Sequence, residues 1–224
     1  MHLIKRIIPS KTFCDVPYVE DLASLDSDVA IIGASHGTPY TPGKPSHSAN
    51  APEHVRSALS WYSANHEQFD FDAMTEILGG ASVVDCGDVP GDLNDGEKNR
   101  DRITEVVSAV LSNGSIPILL GGDDSVPIPF FNAYAGSDPL MIVQVDAHID
   151  WRHEVHGITH GFSSTMRRAS EMEHIKQMLQ IGARGPGSAR RQDQGLQGHA
   201  RRQELRPHLG VYQRERHDGP CAQL

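Results

Sequence analysis

Asp146, His148 and Asp150 occupy alternate positions in Val145-Asp146-Ala147-His148-Ile149-Asp150-Trp151, directly after the apolar run Leu140-Met141-Ile142-Val143. Extended backbone sends alternate side chains to one face, so these three converge if strand geometry persists past the run or bends gently. Two carboxylates and an imidazole suit a divalent ion of the manganese, magnesium or zinc kind. A polar loop after a core strand has the same bare pattern. A second group follows another apolar run: Ile116-Pro117-Ile118-Leu119-Leu120 ends in Gly121-Gly122-Asp123-Asp124-Ser125. The glycines permit a sharp turn and close approach to a ligand. In parallel α/β sheets ligands gather beyond the carboxyl ends of strands, so the two strand ends offer up to five ligand groups. The plainer role for Gly-Gly-Asp-Asp-Ser is a turn with Asp124 or Ser125 capping a helix.

The elements that must position these groups alternate. Strands are expected at 28–33, 82–86, 116–120, 140–146 and 178–182, with helices near 51–62 and 98–112 and a short one after Ser125. In the 98–112 segment Ile103, Val106, Val107, Val110 and Leu111 recur at helical spacing, and Asn113-Gly114 supplies the stop. The Pro/Gly/Ser-rich stretch 34–50 is a candidate rim for the site. Strands alternating with helices predict a parallel sheet covered on both faces.

Together these motifs resemble the ureohydrolase family, which includes arginase and agmatinase and whose metal signatures read roughly G-G-D-H-S, D-A-H-x-D and D-x-D-x-x-D-P. The first corresponds to Gly121-Gly122-Asp123-Asp124-Ser125, with Asp124 where the family has a histidine, and the second to Asp146-Ala147-His148-Ile149-Asp150. Pro39-Tyr40-Thr41-Pro42-Gly43, Ala51-Pro52-Glu53-His54-Val55-Arg56, Val84-Asp85-Cys86-Gly87-Asp88-Val89, His160-Gly161-Phe162 and Gln180-Ile181-Gly182-Ala183-Arg184-Gly185 extend the likeness, in order, over about residues 28–190. The resemblance implies a three-layer α/β/α fold with a mostly parallel sheet, incomplete at the C-terminal end. It implies a hydrolase of linear amidine C–N bonds that converts an agmatine-like guanidino compound to urea and an amine. Two Mn2+ ions would share a water, held by Asp124, Asp146, His148 and Asp150, with Asp150 and His160 as catalytic residues. Small-molecule substrates and a homo-oligomer come with the same resemblance.

No Asp-x-Asp follows Asp150, so the third signature is missing. From Arg191 the chain is a mixture of Arg, Gln, His, Gly and Leu without helical or strand period. The expected organisation is a ureohydrolase-like domain over 1–190, C-terminally incomplete, and a frame-shifted or disordered tail over 191–224. Impaired activity follows from the missing carboxylates. The alternatives are a non-catalytic fragment binding a single metal or a partner, and formimidoyl hydrolysis at the same site.

Composition agrees with one sizeable core: 224 residues, 38% hydrophobic, formal net charge -9. The acidic balance argues against nucleic-acid binding. No apolar run approaches the ~20 residues needed to span a bilayer, and the opening Met-His-Leu-Ile-Lys-Arg lacks a signal-peptide core. Cys14, Cys86 and Cys221 show no paired spacing, which fits a reducing, cytoplasmic setting. His153-Glu154-Val155-His156 has its histidines three apart, not the four that a helical zinc-protease motif needs. The glycines around Arg184 lack the Lys-Ser/Thr ending of a phosphate loop and are expected to form a tight turn.

Overall fold

The computed structural model describes residues 4–59, 68–77, 79–184, 200–204 and 210–215. It divides into two compact units, Met1–Ala133 and Tyr134–Leu224. The boundary expected at 190/191 lies outside the described residues.

The first unit is built on three parallel strands, β1 (Val29–Ala34), β4 (Val83–Val89) and β5 (Ile116–Gly121), in the order β4-β1-β5. Helix α1 (Ala51–Leu59) and the two-residue strands β2 (Phe69–Asp70) and β3 (Thr75–Glu76) lie between β1 and β4 in sequence. Helix α2 (Gly96–Ser112) precedes β5 and α3 (Pro127–Asn132) follows it. Alternation along the strands sorts the two faces. Ala30, Ile32, Ala34, Val84 and Cys86 share a buried cluster with Ile103, Val106, Val107 and Val110 of α2. The four α2 side chains follow the i, i+3, i+4, i+7 stripe, and each buried aliphatic contributes about 1.5–3 kcal/mol. On the opposite face Asp85 meets Arg56 of α1, so this unit layers helix, sheet and helix.

Arg56 is 1% exposed and donates through Nε and Nη2 to both oxygens of Asp85, at 2.7 and 2.9 Å, and through Nη1 to Asp88 at 2.6 Å. Burial works against its charge, but the hydrogen bonds to Asp85 and Asp88 outweigh that and raise its pKa above the usual value. Asp85 also accepts from the backbone N–H groups of Phe13 and Gly87, so its four bonds fix α1, β4 and the N-terminal segment together.

Helix α2 starts at Gly96, slightly earlier than its apolar period indicates, because Asp95 caps it by accepting from Lys98 N–H at 2.9 Å. The β2–β3 hairpin, which the sequence does not signal, is antiparallel.

The second unit pairs β6 (Leu140–Val145) with β7 (Ile175–Ile181) in parallel, with α4 (Thr165–Ala169) between them in sequence. In the tail, which has no strand period, the backbone forms β8 (Ala200–Glu204) and β9 (Gly210–Glu215), with β9 antiparallel to both β7 and β8. Ladder pairing uses main-chain groups, which every non-proline residue carries. The main strands are therefore parallel and interleaved with helices, as expected. No helix among the described residues is long and apolar enough to cross a membrane.

Candidate metal centre

At the carboxyl end of β5 the chain turns through Gly122. A side chain there would meet the carbonyl oxygens of Ser35 and Ala34 at 2.5 and 2.8 Å, while Gly122 N–H donates to Ala34 O at 2.8 Å. Only glycine allows the turn to lie this close to the end of β1. Asp123 and Ser125 then lock the loop. The Ser125 hydroxyl is fully buried, donates to Asp123 Oδ1 and accepts from Thr38 N–H at 2.8 Å. Asp123 Oδ1 also accepts from Ser125 N–H at 3.0 Å. Asp123 is thus committed to internal hydrogen bonds, and Ser125 ties the β5 loop to the rim after β1. Neither caps α3, whose preceding residue Val126 makes no side-chain cap.

The rim is also held by α2. Asn99, 1% exposed, donates through Nδ2 to Gly37 O at 3.0 Å and Asp92 O at 2.8 Å, and accepts from Asp92 N–H at 2.7 Å. Arg100 donates to the Thr38 hydroxyl at 2.9 Å. His36 sits in this rim with its pKa lowered, chiefly by burial and partly offset by the Asp123 carboxylate. Asp124 follows on the same loop and is half-buried.

In the second unit the strand ends at Val145, one residue before the first candidate ligand. Asp146 N–H still pairs with Ile181 O at 3.0 Å, but Asp146 Oδ1 accepts from His148 N–H at 2.7 Å and turns the chain. Asp150 has φ of 45°, a left-handed conformation, with its carbonyl accepting from Arg167 N–H at 3.1 Å. The extended alternation expected from the sequence therefore does not continue. The turn nonetheless brings a carboxylate oxygen of Asp146 and one of Asp150 within 4.8 Å of each other, both half-buried. Cis oxygens around an ion with ~2.0–2.2 Å bonds lie about 3 Å apart and trans oxygens about 4.3 Å apart, so a small rotamer adjustment lets both bind one divalent ion. The donor set fits a hard cation. His148 stands beside this pair: its side chain is 78% exposed, with Nδ1 3.3 Å from Asp146 Oδ1.

Two amides that belong to no motif complete the arrangement. Gln144 Nε2 donates to Asp150 Oδ2 at 3.0 Å, and Gln180 Nε2 donates to Gln144 Oε1 at 2.5 Å and to Ile149 O at 3.0 Å. Their one sequence signal is the single polar residue, Gln144, inside the otherwise apolar β6; β7 carries Lys176 and Gln177 besides Gln180, so Gln180 does not stand out. His160 is half-buried, with Nδ1 2.9 Å from the Thr159 hydroxyl. His153–His156 is no helical ligand pair, because Val155 and Ile158 exchange two backbone hydrogen bonds of 3.0 Å around a turn. The turn expected around Arg184 is present as far as it is described. Gly182 has φ of 91°, and Arg184 N–H donates to Ala147 O at 2.9 Å, bracing the segment between Asp146 and Asp150.

The chain is similar to known proteins in sequence and fold. A model described as the arginase family matches residues 27–204, past the point where the motif resemblance ends. An agmatinase from Bacillus anthracis is 33% identical over 45% of this chain and 35% of that protein. A formimidoylglutamase from Halalkalibacterium halodurans is 32% identical over 66% of this chain and 47% of that protein. The solved structure of proclavaminate amidino hydrolase from Streptomyces clavuligerus superposes with a TM-score of 0.66 at 26% identity, covering 83% of this chain and 59% of that one. The chain thus spans about a third to three fifths of the length of these relatives. With its strand-end motifs, its α/β architecture and a match over most of its length, this chain belongs to the arginase family.

Proposed function

We propose that the protein is a manganese-dependent hydrolase of guanidino compounds, producing urea and an amine. The observation that carries this reading is the Asp146–Asp150 carboxylate pair, within 4.8 Å, at the end of a parallel strand in an arginase-family chain. We assign Asp124, Asp146, His148 and Asp150 as metal ligands, for two Mn2+ ions in the complete site. For Asp124 the support is its position after Gly-Gly-Asp. His148 needs a side-chain rotation from its present exposed position. Divalent ions held by these residues would supply Lewis-acid polarisation and acidify a water at neutral pH.

The chain's own groups do the rest. Carboxylates attract and orient the cationic guanidinium, and Asp150 accepts the proton of the attacking water. His160, whose Nδ1 is engaged by Thr159, donates a proton to the leaving amine and is recharged by the proton that Asp150 took from the water. Assembly as a homo-oligomer and a cytoplasmic setting belong to the same reading.

The relationship to a formimidoylglutamase supports a second reading, hydrolysis of a formimidoyl group at the same residues. One assay separates the two: urea release from a panel of guanidino amines and acids, against formamide release from formimidoyl substrates, each with added Mn2+. The first reading expects urea release that needs Mn2+ and disappears in the Asp146→Ala, His148→Ala double variant. Formamide alone would establish the second. Metal binding with no turnover on either panel would leave a non-catalytic metal-binding fragment.

A further inference from the structure

We infer that Gln144 and Gln180 form an amide relay that positions Asp150 for metal binding; this rests on the metal-site reading above. The two residues are directly opposite each other in the parallel register of β6 and β7. Gln180 is 6% exposed, so its amide must be satisfied internally. The orientation of the relay is set by one obligate acceptor. The Ile149 carbonyl can only accept, so the group that Gln180 turns toward it at 3.0 Å is its NH2. The same nitrogen donates to Gln144 Oε1, which commits the Gln144 oxygen to β7 and turns its NH2 toward Asp150 Oδ2, at 3.0 Å. An amide flip at either residue would set carbonyl oxygen against an oxygen acceptor.

The relay grips Asp150 at two levels. It fixes one carboxylate oxygen directly, and through Ile149 it fixes the peptide that leads into the left-handed Asp150 backbone, where φ is 45°. A donor on Oδ2 restricts the rotation of the carboxylate, and a metal ligand needs that fixed orientation. Asp146 needs no such help, since it continues directly from β6 and is paired to Ile181. Asp150 lies beyond the turn, where the strand no longer dictates direction.

The test is Mn2+ titration of the full 224-residue chain, followed by electron paramagnetic resonance of the free ion, together with the visible absorption spectrum of the Co2+-substituted protein. The variants are Gln144→Leu, Gln180→Leu, the double variant and Asp150→Ala. Gln144→Leu should weaken Mn2+ binding about tenfold or more, the range typical for loss of a ligand-orienting partner, and should shift the Co2+ bands. Gln180→Leu should give a smaller loss, and the double variant should lose less than the sum of the two single losses, because Gln180 acts partly through Gln144 and partly through Ile149. Gln144→Glu, which keeps the shape but removes the donor, should give the same loss and serves if the leucine variant does not fold. Should Asp150→Ala weaken binding while both Gln144 variants match the unsubstituted protein, the relay is overturned and the metal site stands. Fully additive losses from the two glutamines would also overturn it. If Asp150→Ala itself binds Mn2+ normally, the underlying site assignment fails instead.

Discussion

Replacing Ser125 by alanine removes one oxygen atom, yet the structure makes that atom the link between the β5 loop and the rim after β1. The hydroxyl is fully buried, donates to Asp123 Oδ1 and accepts from Thr38 N–H at 2.8 Å. Losing the bond to a carboxylate costs about 1.5–3 kcal/mol, and a backbone N–H left without an acceptor in a buried place costs about 1–3 kcal/mol. Thr38 is itself only 6% exposed, so water does not readily replace the lost oxygen. The two costs share one atom and do not simply add; about 3 kcal/mol is expected, roughly a hundredfold in the folded-to-unfolded ratio. Equilibrium urea unfolding followed by circular dichroism measures it. Ser112→Ala is the matched control: Ser112 also hydrogen-bonds a backbone group, Ser108 O at 2.8 Å, but is exposed, and about 0.5 kcal/mol or less is expected. Equal effects of the two substitutions would refute the idea that Ser125 locks the loop carrying Asp124.

Other outcomes follow from the same geometry. Arg56→Leu should destabilise the protein by about 3–5 kcal/mol in the same unfolding assay, because it leaves the fully buried Asp85 and its neighbour Asp88 without their cation. His36 has a folded pKa below its ordinary value of about 6.5, so below that pH the unfolded chain takes up a proton that the folded chain resists. Stability should therefore fall as pH drops through 6.5 toward the folded value, and His36→Gln should flatten that slope between pH 7 and the folded pKa. Burial pushes the Cys86 thiol up to about 11, so at pH 8 it should resist aromatic disulfide reagents in the native protein and react once the chain is denatured.

The sequence made the main frame legible where local pattern and tertiary environment agree. Val29–Ala34 is a buried parallel strand, Ile116–Gly121 pairs beside it in parallel, and the α2 stripe packs into the same core. Elements held by distant partners were not legible. Helix α4 has five residues, too short for a period, and one of its N–H groups is fixed by the Asp150 carbonyl. The β2–β3 hairpin has two-residue strands whose residues are all exposed, so no alternation marks it. The candidate site shows the same division. The D-x-H-x-D spacing identified Asp146 and Asp150, but a hydrogen-bonded turn rather than extended backbone brings them together. Asp123 and Ser125 read locally as ligand and cap, whereas Ser125's partner Thr38 lies 87 residues away in sequence. Gln144 and Gln180 acquire their role only through the β6–β7 register, which no single-strand pattern contains.

The central claim is that the Asp146–Asp150 pair holds a divalent ion, and anomalous diffraction at the manganese edge from crystals soaked in Mn2+ tests it most directly. The account predicts an anomalous peak in bonding contact with carboxylate oxygens of both Asp146 and Asp150, absent from crystals of the Asp146→Ala, His148→Ala protein. Soaked crystals with no peak at those two carboxylates, or with the same peak in the double variant, would contradict it.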